Sequence, residues 1–213
     1  MSFWPEFLLI AAVHLMAVAS PGPDFAIVLR YAVRFGRKQA VYASMGIGLA
    51  ILLHVTWSLV GIAVLIKTTP WLFKTLSLAA AAYLFYIGVQ SLRSMAPAEA
   101  EHLSEQKAAD AVPSAGKSFI AGFITNGLNP KATLFFLSLF AVIISPDTPL
   151  SYKVIYGLYM SVATAAWFCM LSVVLTHTKV RGFLLLKGYW FDRVMGVLLL
   201  ALAMHLVVSS FSS

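Results

Sequence analysis

Six stretches of the chain, roughly residues 5–29, 40–66, 72–94, 117–144, 152–177 and 191–210, are almost wholly apolar. A helix crossing ~30 Å of hydrocarbon needs ~20 such residues. With 61% hydrophobic and 11% charged residues in a chain of 213, too few charges remain to cover a soluble domain. The pattern predicts an all-α integral membrane protein of six transmembrane helices, embedded in the lipid bilayer.

The net charge of +7 does not point to nucleic acid, because the basic residues sit between the spans. Their distribution predicts orientation instead. Arg30, Arg34, Arg37 and Lys38 follow the first span, Arg93, Lys107 and Lys117 the third, and Lys179, Arg181, Lys187 and Arg193 the fifth. Only Lys67, Lys74 and Lys153 occupy the alternate connections. Connections one, three and five are therefore predicted to face the cytoplasm, with both termini outside. Ala17-Val18-Ala19 resembles a signal-peptidase site, but no positive residue precedes the apolar run, so the segment reads as a retained first helix. The single cysteine, Cys169, falls inside the fifth span, reads as a small buried residue, and excludes an internal disulfide.

The segment 96–116, rich in Ala, Glu, Ser and Pro, reads as a cytoplasmic linker between two three-helix repeats at 1–95 and 117–213. Residues 180–191 mix aromatic, aliphatic and basic side chains and read as a short helix in the cytoplasmic interface. Three is odd, so the second repeat must run through the membrane in the opposite sense, the topology of an inverted repeat.

Two spans carry matching interruptions: Ser20-Pro21-Gly22-Pro23-Asp24 in the first, and Asn126-Gly127-Leu128-Asn129-Pro130-Lys131 in the fourth. Proline lacks an N–H and clashes with the carbonyl four residues back. Each break is predicted to unwind helix 1 or helix 4 and start a fresh half-helix. Ser20 or Gly22 would cap the first and Asn129, ahead of Pro130, the second. Each new start exposes free N–H groups and a positive dipole end within the membrane, a place for an anionic group. One proline in one span would read as a packing kink; two multi-residue breaks at corresponding places read as a binding site. Aligning Pro23 with Pro130 sets Asp24 opposite Lys131. Unpaired charges at mid-bilayer cost ~2.5–3.5 kcal/mol or more. The two form either a structural ion pair or a pair that opens to hold a zwitterion, and Asp24 is also the candidate for proton coupling.

Gly46, Gly48 and Gly157 suit close helix packing. Trp57 and Trp167 occupy similar places in the two repeats and, with His54, are candidates to line a cavity. His14, His54 and His205 lie in spans without metal-ligand spacing, so no metal site or other cofactor is expected. A hydrogen bond to a neighbouring helix is the plain role for such a histidine. A proton relay through His14 or His54 is the functional alternative.

At these residues the chain resembles the LysE/RhtB family of bacterial amino acid exporters. The resemblance runs over nearly the whole length. It rests on Ser20-Pro21-Gly22-Pro23, Gly36-Arg37-Lys38, the Gly46/Gly48 pair, Tyr83-Leu84 with Gly88, and Asn126 through Asn129-Pro130-Lys131. Val13-His14-Leu15 and Asp24-Phe25 are most similar to the threonine/homoserine branch. Relatives usually carry a glycine where Ala79 to Ala82 stand, a departure away from the breaks. The resemblance implies a bacterial inner-membrane exporter of small neutral amino acids, driven by proton motive force, for which a homodimer is one assembly. Family motif residues carry over to Pro21, Gly22, Pro23, Asn126, Asn129, Pro130 and Lys131.

Together these readings predict alternating access. Half-helix N–H groups and Lys131 would hold the substrate carboxylate. Asp24, with Asn126 or Asn129, would hold the ammonium, and protonation of Asp24 would release it outward. The competing class is a membrane-embedded enzyme acting on a lipid-linked substrate. Such an enzyme needs a nucleophile and base or clustered acids, and the sequence offers one deep carboxylate.

Overall fold

A computed structural model describes residues 3–20, 22–68, 112–145, 147–176 and 189–212, with residues 75, 78, 81, 82, 85, 86 and 88–93 between them. Most of the expected third span, most of the linker and the expected interfacial helix thus lie outside the described residues. Those described form helices and connections, with no strand among them.

The first apolar stretch forms two helices, α1 (Phe3–Ala19) and α2 (Pro23–Arg34), whose axes are bent by 53°. Proline opens α2, where its missing N–H costs nothing. α2 ends at Phe35, and Gly36 adopts φ +85°, a left-handed turn that a side chain resists, before α3 (Arg37–Thr68) begins. The fourth stretch also forms two helices, α4 (Ala115–Gly127) and α5 (Pro130–Val142). Ser114 caps α4 by accepting from the Lys117 amide at 3.3 Å. α6 (Leu150–Val174) follows Pro149, and α7 (Tyr189–Ser212) closes the chain.

Two continuous segments, Arg37–Val60 of α3 and Leu150–Val174 of α6, are long and apolar enough to cross a membrane, and α1 with α2 qualifies as one bent span. α3 and α6 lie side by side because small residues meet. A Cβ on Gly48 would stand 2.5 Å from the Ala165 Cβ, Ser161 donates to the Gly48 carbonyl at 2.7 Å, and Ser44 bonds Ser172 at 2.9 Å. α4 approaches α3 still more closely, with Gly46 and Gly122 each set against the other helix's backbone. The third expected span meets α7 where a Cβ on Gly196 would stand 2.8 Å from the Gly88 carbonyl oxygen.

Side chains pack in two clusters, one at each end of the α3–α6 pair. Ile10, Val13, Ile51, Val55, Phe136, Leu139, Tyr156 and Met160 belong to the first. Val28, Leu29, Ile47, Phe168, Leu171 and Leu175 belong to the second. Both helix breaks fall between the clusters, level with the middle of the two continuous spans.

The first cluster contains a charge that the sequence left without a role. Glu6 is 2% exposed and accepts from the Ser145 amide at 2.9 Å, the Thr148 hydroxyl at 2.9 and 3.0 Å, and the Tyr156 hydroxyl at 3.1 Å. It fastens the start of α1 to the α5–α6 turn.

Candidate functional site

The second break is two residues long. Gly127 ends α4, and the Leu128 amide bonds back to the Ile124 carbonyl at 2.9 Å. Asn129 then caps α5, its Oδ1 accepting from the Lys131 amide at 3.0 Å. The same side chain works in two directions, because its Nδ2 donates to Asp24 Oδ2 at 3.1 Å. Asn126 Nδ2 donates to that oxygen as well, at 2.9 Å.

The first break answers the second. Asp24 and Lys131 each stand one residue after the opening proline of a half-helix, and each reaches across to the other break. Asp24 takes the two amides just described, while Lys131 Nζ donates to Ser20 Oγ at 2.8 Å. Gly22, not Ser20, is the N-cap of α2, and no side chain caps that helix. A Cβ on Gly22 would lie 3.6 Å from Lys131 Nζ, so the ammonium rests against the bare backbone of the first break.

A cavity of about 60 Å³ opens at this clasp. Such a space holds roughly four to six waters, the volume of one small amino acid. Ser20, Gly22, Pro23, Asp24, Asn126, Asn129 and Lys131 are among its lining residues; Pro21 lies outside the described residues, and Pro130 opens α5 between Asn129 and Lys131. Apolar side chains complete much of the lining, with Ile51, Phe135, Phe136 and Leu199 from the first cluster and Phe168 from the second. Three buried polar atoms on cavity residues have no partner among the described residues: Asp24 Oδ1, Asn126 Oδ1 and His14 Nδ1. Leaving such atoms unsatisfied costs about 1–3 kcal/mol each.

The three residues expected to line a cavity part company. His54 is buried behind the second break: its Nε2 bonds the Asn126 carbonyl at 3.0 Å, and its ring stacks on Phe136 at 5.7 Å. A carbonyl only accepts, so Nε2 carries the hydrogen and the ring braces the unwound backbone. Trp57 does not line the cavity. It is 70% exposed and continues the outward stripe of Met45, Leu49 and Leu53 at four-residue spacing, where its similar place in the repeat carries no weight. Trp167 packs beside the Phe168 cluster, and its neighbour Phe168 faces the cavity instead. Cys169 is half-buried, with Sγ 4.0 Å from the Val41 carbonyl, as a small packing residue would be.

His14, which the sequence offered only as a hydrogen-bonded histidine or a proton relay, meets Thr164, to which sequence reasoning gave no role at the site. Both line the cavity, 0% and 1% exposed, with Thr164 Oγ1 3.1 Å from His14 Nε2. The available signal was a histidine and a threonine set deep within otherwise apolar spans. Among the described residues no group of three His, Cys, Asp or Glu could hold a metal ion.

A family model described as LysE type translocator matches residues 15–210. The threonine efflux protein of Escherichia coli strain K12 is 30% identical over 95% of this chain and 98% of its own length. The threonine efflux protein of Salmonella typhi is similar to the same extent. An uncharacterized membrane protein of Haemophilus influenzae is 26% identical over 94% of this chain and 95% of its own. No solved structure matches. With two helices long and apolar enough to cross a membrane and a third span bent at its break, the chain is a multi-pass membrane protein that belongs to the LysE type translocator family.

Proposed function

We propose that this protein is a secondary active exporter of small neutral amino acids of the threonine type in the bacterial inner membrane. Proton coupling, alternating access and two inverted three-helix repeats with both termini outside complete the reading. The observation that carries it is the charge-complementary clasp. A zwitterion brings an ammonium, which only donates, and a carboxylate, which only accepts. Asp24 Oδ1 and Asn126 Oδ1 are unpartnered acceptors for the first. Lys131 Nζ and the uncapped start of α2 are donors for the second. The relatives named for threonine efflux support an amino acid as cargo. Reciprocal reach between the breaks supports the inverted repeat, since each half-helix charge meets the polar residues of the other.

Substrate entering from the cytoplasm lays its ammonium on Asp24 and its carboxylate against Lys131. The links that join the breaks, Asp24 to the two asparagines and Lys131 to Ser20, loosen as substrate replaces them. On the outward side a proton taken by Asp24 removes the charge that held the ammonium, and the amino acid leaves. The proton then travels inward on the empty carrier.

Uptake of labelled threonine into inverted membrane vesicles tests this. An acidic interior is expected to stimulate wild-type uptake at least about tenfold, and Asp24→Asn is expected to lose the stimulation. Equal uptake by both, independent of the gradient, would refute the role of Asp24.

A further inference from the structure

Among the apolar side chains that line the cavity stands one polar pair, His14 and Thr164, which takes no part in the clasp. His14 is wholly buried on α1, with Nε2 held by the Thr164 hydroxyl of α6 at 3.1 Å. Its ring stands among aromatic side chains, with centroids 6.0 Å from Phe136 and 6.2 Å from Tyr159. Its other nitrogen, Nδ1, has no partner among the described residues. A buried ring nitrogen with no partner is costly in any tautomer.

We propose that His14, oriented by Thr164, is the residue that selects substrates carrying a side-chain hydroxyl. The inference rests on the amino acid export reading and extends it to the substrate side chain. With ammonium and carboxylate held at the clasp, the side chain is left to the remaining lining residues, Phe135, Phe136 and Ile51 among them, and of the three unpartnered polar atoms on described lining residues His14 Nδ1 is the one outside the clasp. If Nε2–H donates to Thr164, Nδ1 is a lone pair that a substrate hydroxyl can donate to. If Thr164 donates to Nε2, Nδ1–H can donate to the same hydroxyl. A hydroxyl satisfies both tautomers and a methyl satisfies neither. Threonine and valine differ by that one group at nearly equal volume. An apolar pocket alone discriminates such a pair poorly, whereas a pocket with an unpaired polar atom rejects the analogue that cannot bond it.

The test uses the full chain in proteoliposomes, measuring counterflow of labelled threonine and labelled valine. The wild type is expected to favour threonine on the order of tenfold to a hundredfold. In His14→Leu the ratio of threonine to valine counterflow falls toward unity, because both the partner of the hydroxyl and the penalty on valine are gone. An unchanged preference in a His14→Leu protein that still exchanges would overturn the role of His14. Thermal stabilisation of the wild type by each amino acid gives an answer that needs no variant: greater stabilisation by threonine supports the proposal, and equal stabilisation by both sinks it. Absence of any response to either amino acid would instead defeat the export reading, and the His14 inference with it.

Discussion

Gly122→Ala carries a large expected effect whose sign runs against helix propensity. In an exposed helix the change gains about 0.5–1 kcal/mol, because glycine gives up more freedom on folding. Here a Cβ would stand 2.0 Å from the Ala43 carbonyl oxygen, 2.7 Å from its carbon and 2.9 Å from its Cα. All three are backbone atoms, which no rotamer change can move aside, so α3 and α4 must separate by about 1 Å or more to restore ordinary contact. Overpacking of this kind costs about 1–3 kcal/mol. The displacement also reaches the site. Asn126 lies one turn beyond Gly122, with its carbonyl 3.0 Å from His54 Nε2 and its amide 2.9 Å from Asp24 Oδ2. A shift of that size breaks both bonds, at roughly 0.5–1.5 kcal/mol each. The total is about 3 kcal/mol, which for a chain of this length lowers the melting temperature by roughly 6–12 °C. Thermal unfolding of detergent-purified protein measures it, with Gly116→Ala as control, since nothing lies within 4 Å of a Cβ there. If Gly122→Ala melts with the wild type and transports normally, the two helices do not cross at Gly46 and Gly122 as described.

Three further outcomes follow from named contacts. Glu6→Ala strands the Ser145 amide and the Thr148 and Tyr156 hydroxyls, and is expected to lower stability by about 3 kcal/mol in a melting experiment while threonine binding survives, since Glu6 is not among the residues lining the cavity. Gly36→Ala meets no atom within 4 Å but must hold φ +85°, so its loss of about 1–2 kcal/mol, read by the same melt, is backbone strain alone. Lys131→Met keeps the length of the side chain and removes the ammonium. Isothermal titration is expected to show threonine affinity reduced at least about tenfold with the melting temperature within a few degrees of wild type, the loss of a charged hydrogen bond being about 1.5–3 kcal/mol.

Much of the fold was legible because membrane physics leaves few options. Apolar runs of this length become helices, and prolines inside them open new half-helices, as Pro23 and Pro130 do. Asn129 was readable as a cap from its place before a proline. What the sequence could not convey was facing. His54 and Trp57 are three residues apart on one helix, yet His54 is buried behind the break and Trp57 lies on the outer surface. In a soluble helix a polar stripe would mark the outward face. In lipid both faces are apolar, and hydrophobic periodicity loses its information. The same loss concealed the pairing of His14 with Thr164, which depends on how α1 lies against α6. Glu6 escaped because its three donors lie about 140 to 150 residues further along the chain.

The two breaks are alike in position and unlike in chemistry, and the difference bears on how a zwitterion is oriented. α5 is capped at its start by its own Asn129, whose side chain occupies the Lys131 amide. α2 begins at a glycine that offers no side chain, and the cation beside it, Lys131, comes from α5. Two equally open starts would attract anions at both breaks and give a substrate no preferred direction. With one start capped and its asparagine turned to hold an aspartate, the positive field of one break remains while the other presents acceptors. Two similarly placed breaks thereby become a site with a direction, and exchanging Asp24 and Lys131 would not simply reverse it, because Asn129 would still cap α5 while α2 kept a start without a side-chain cap.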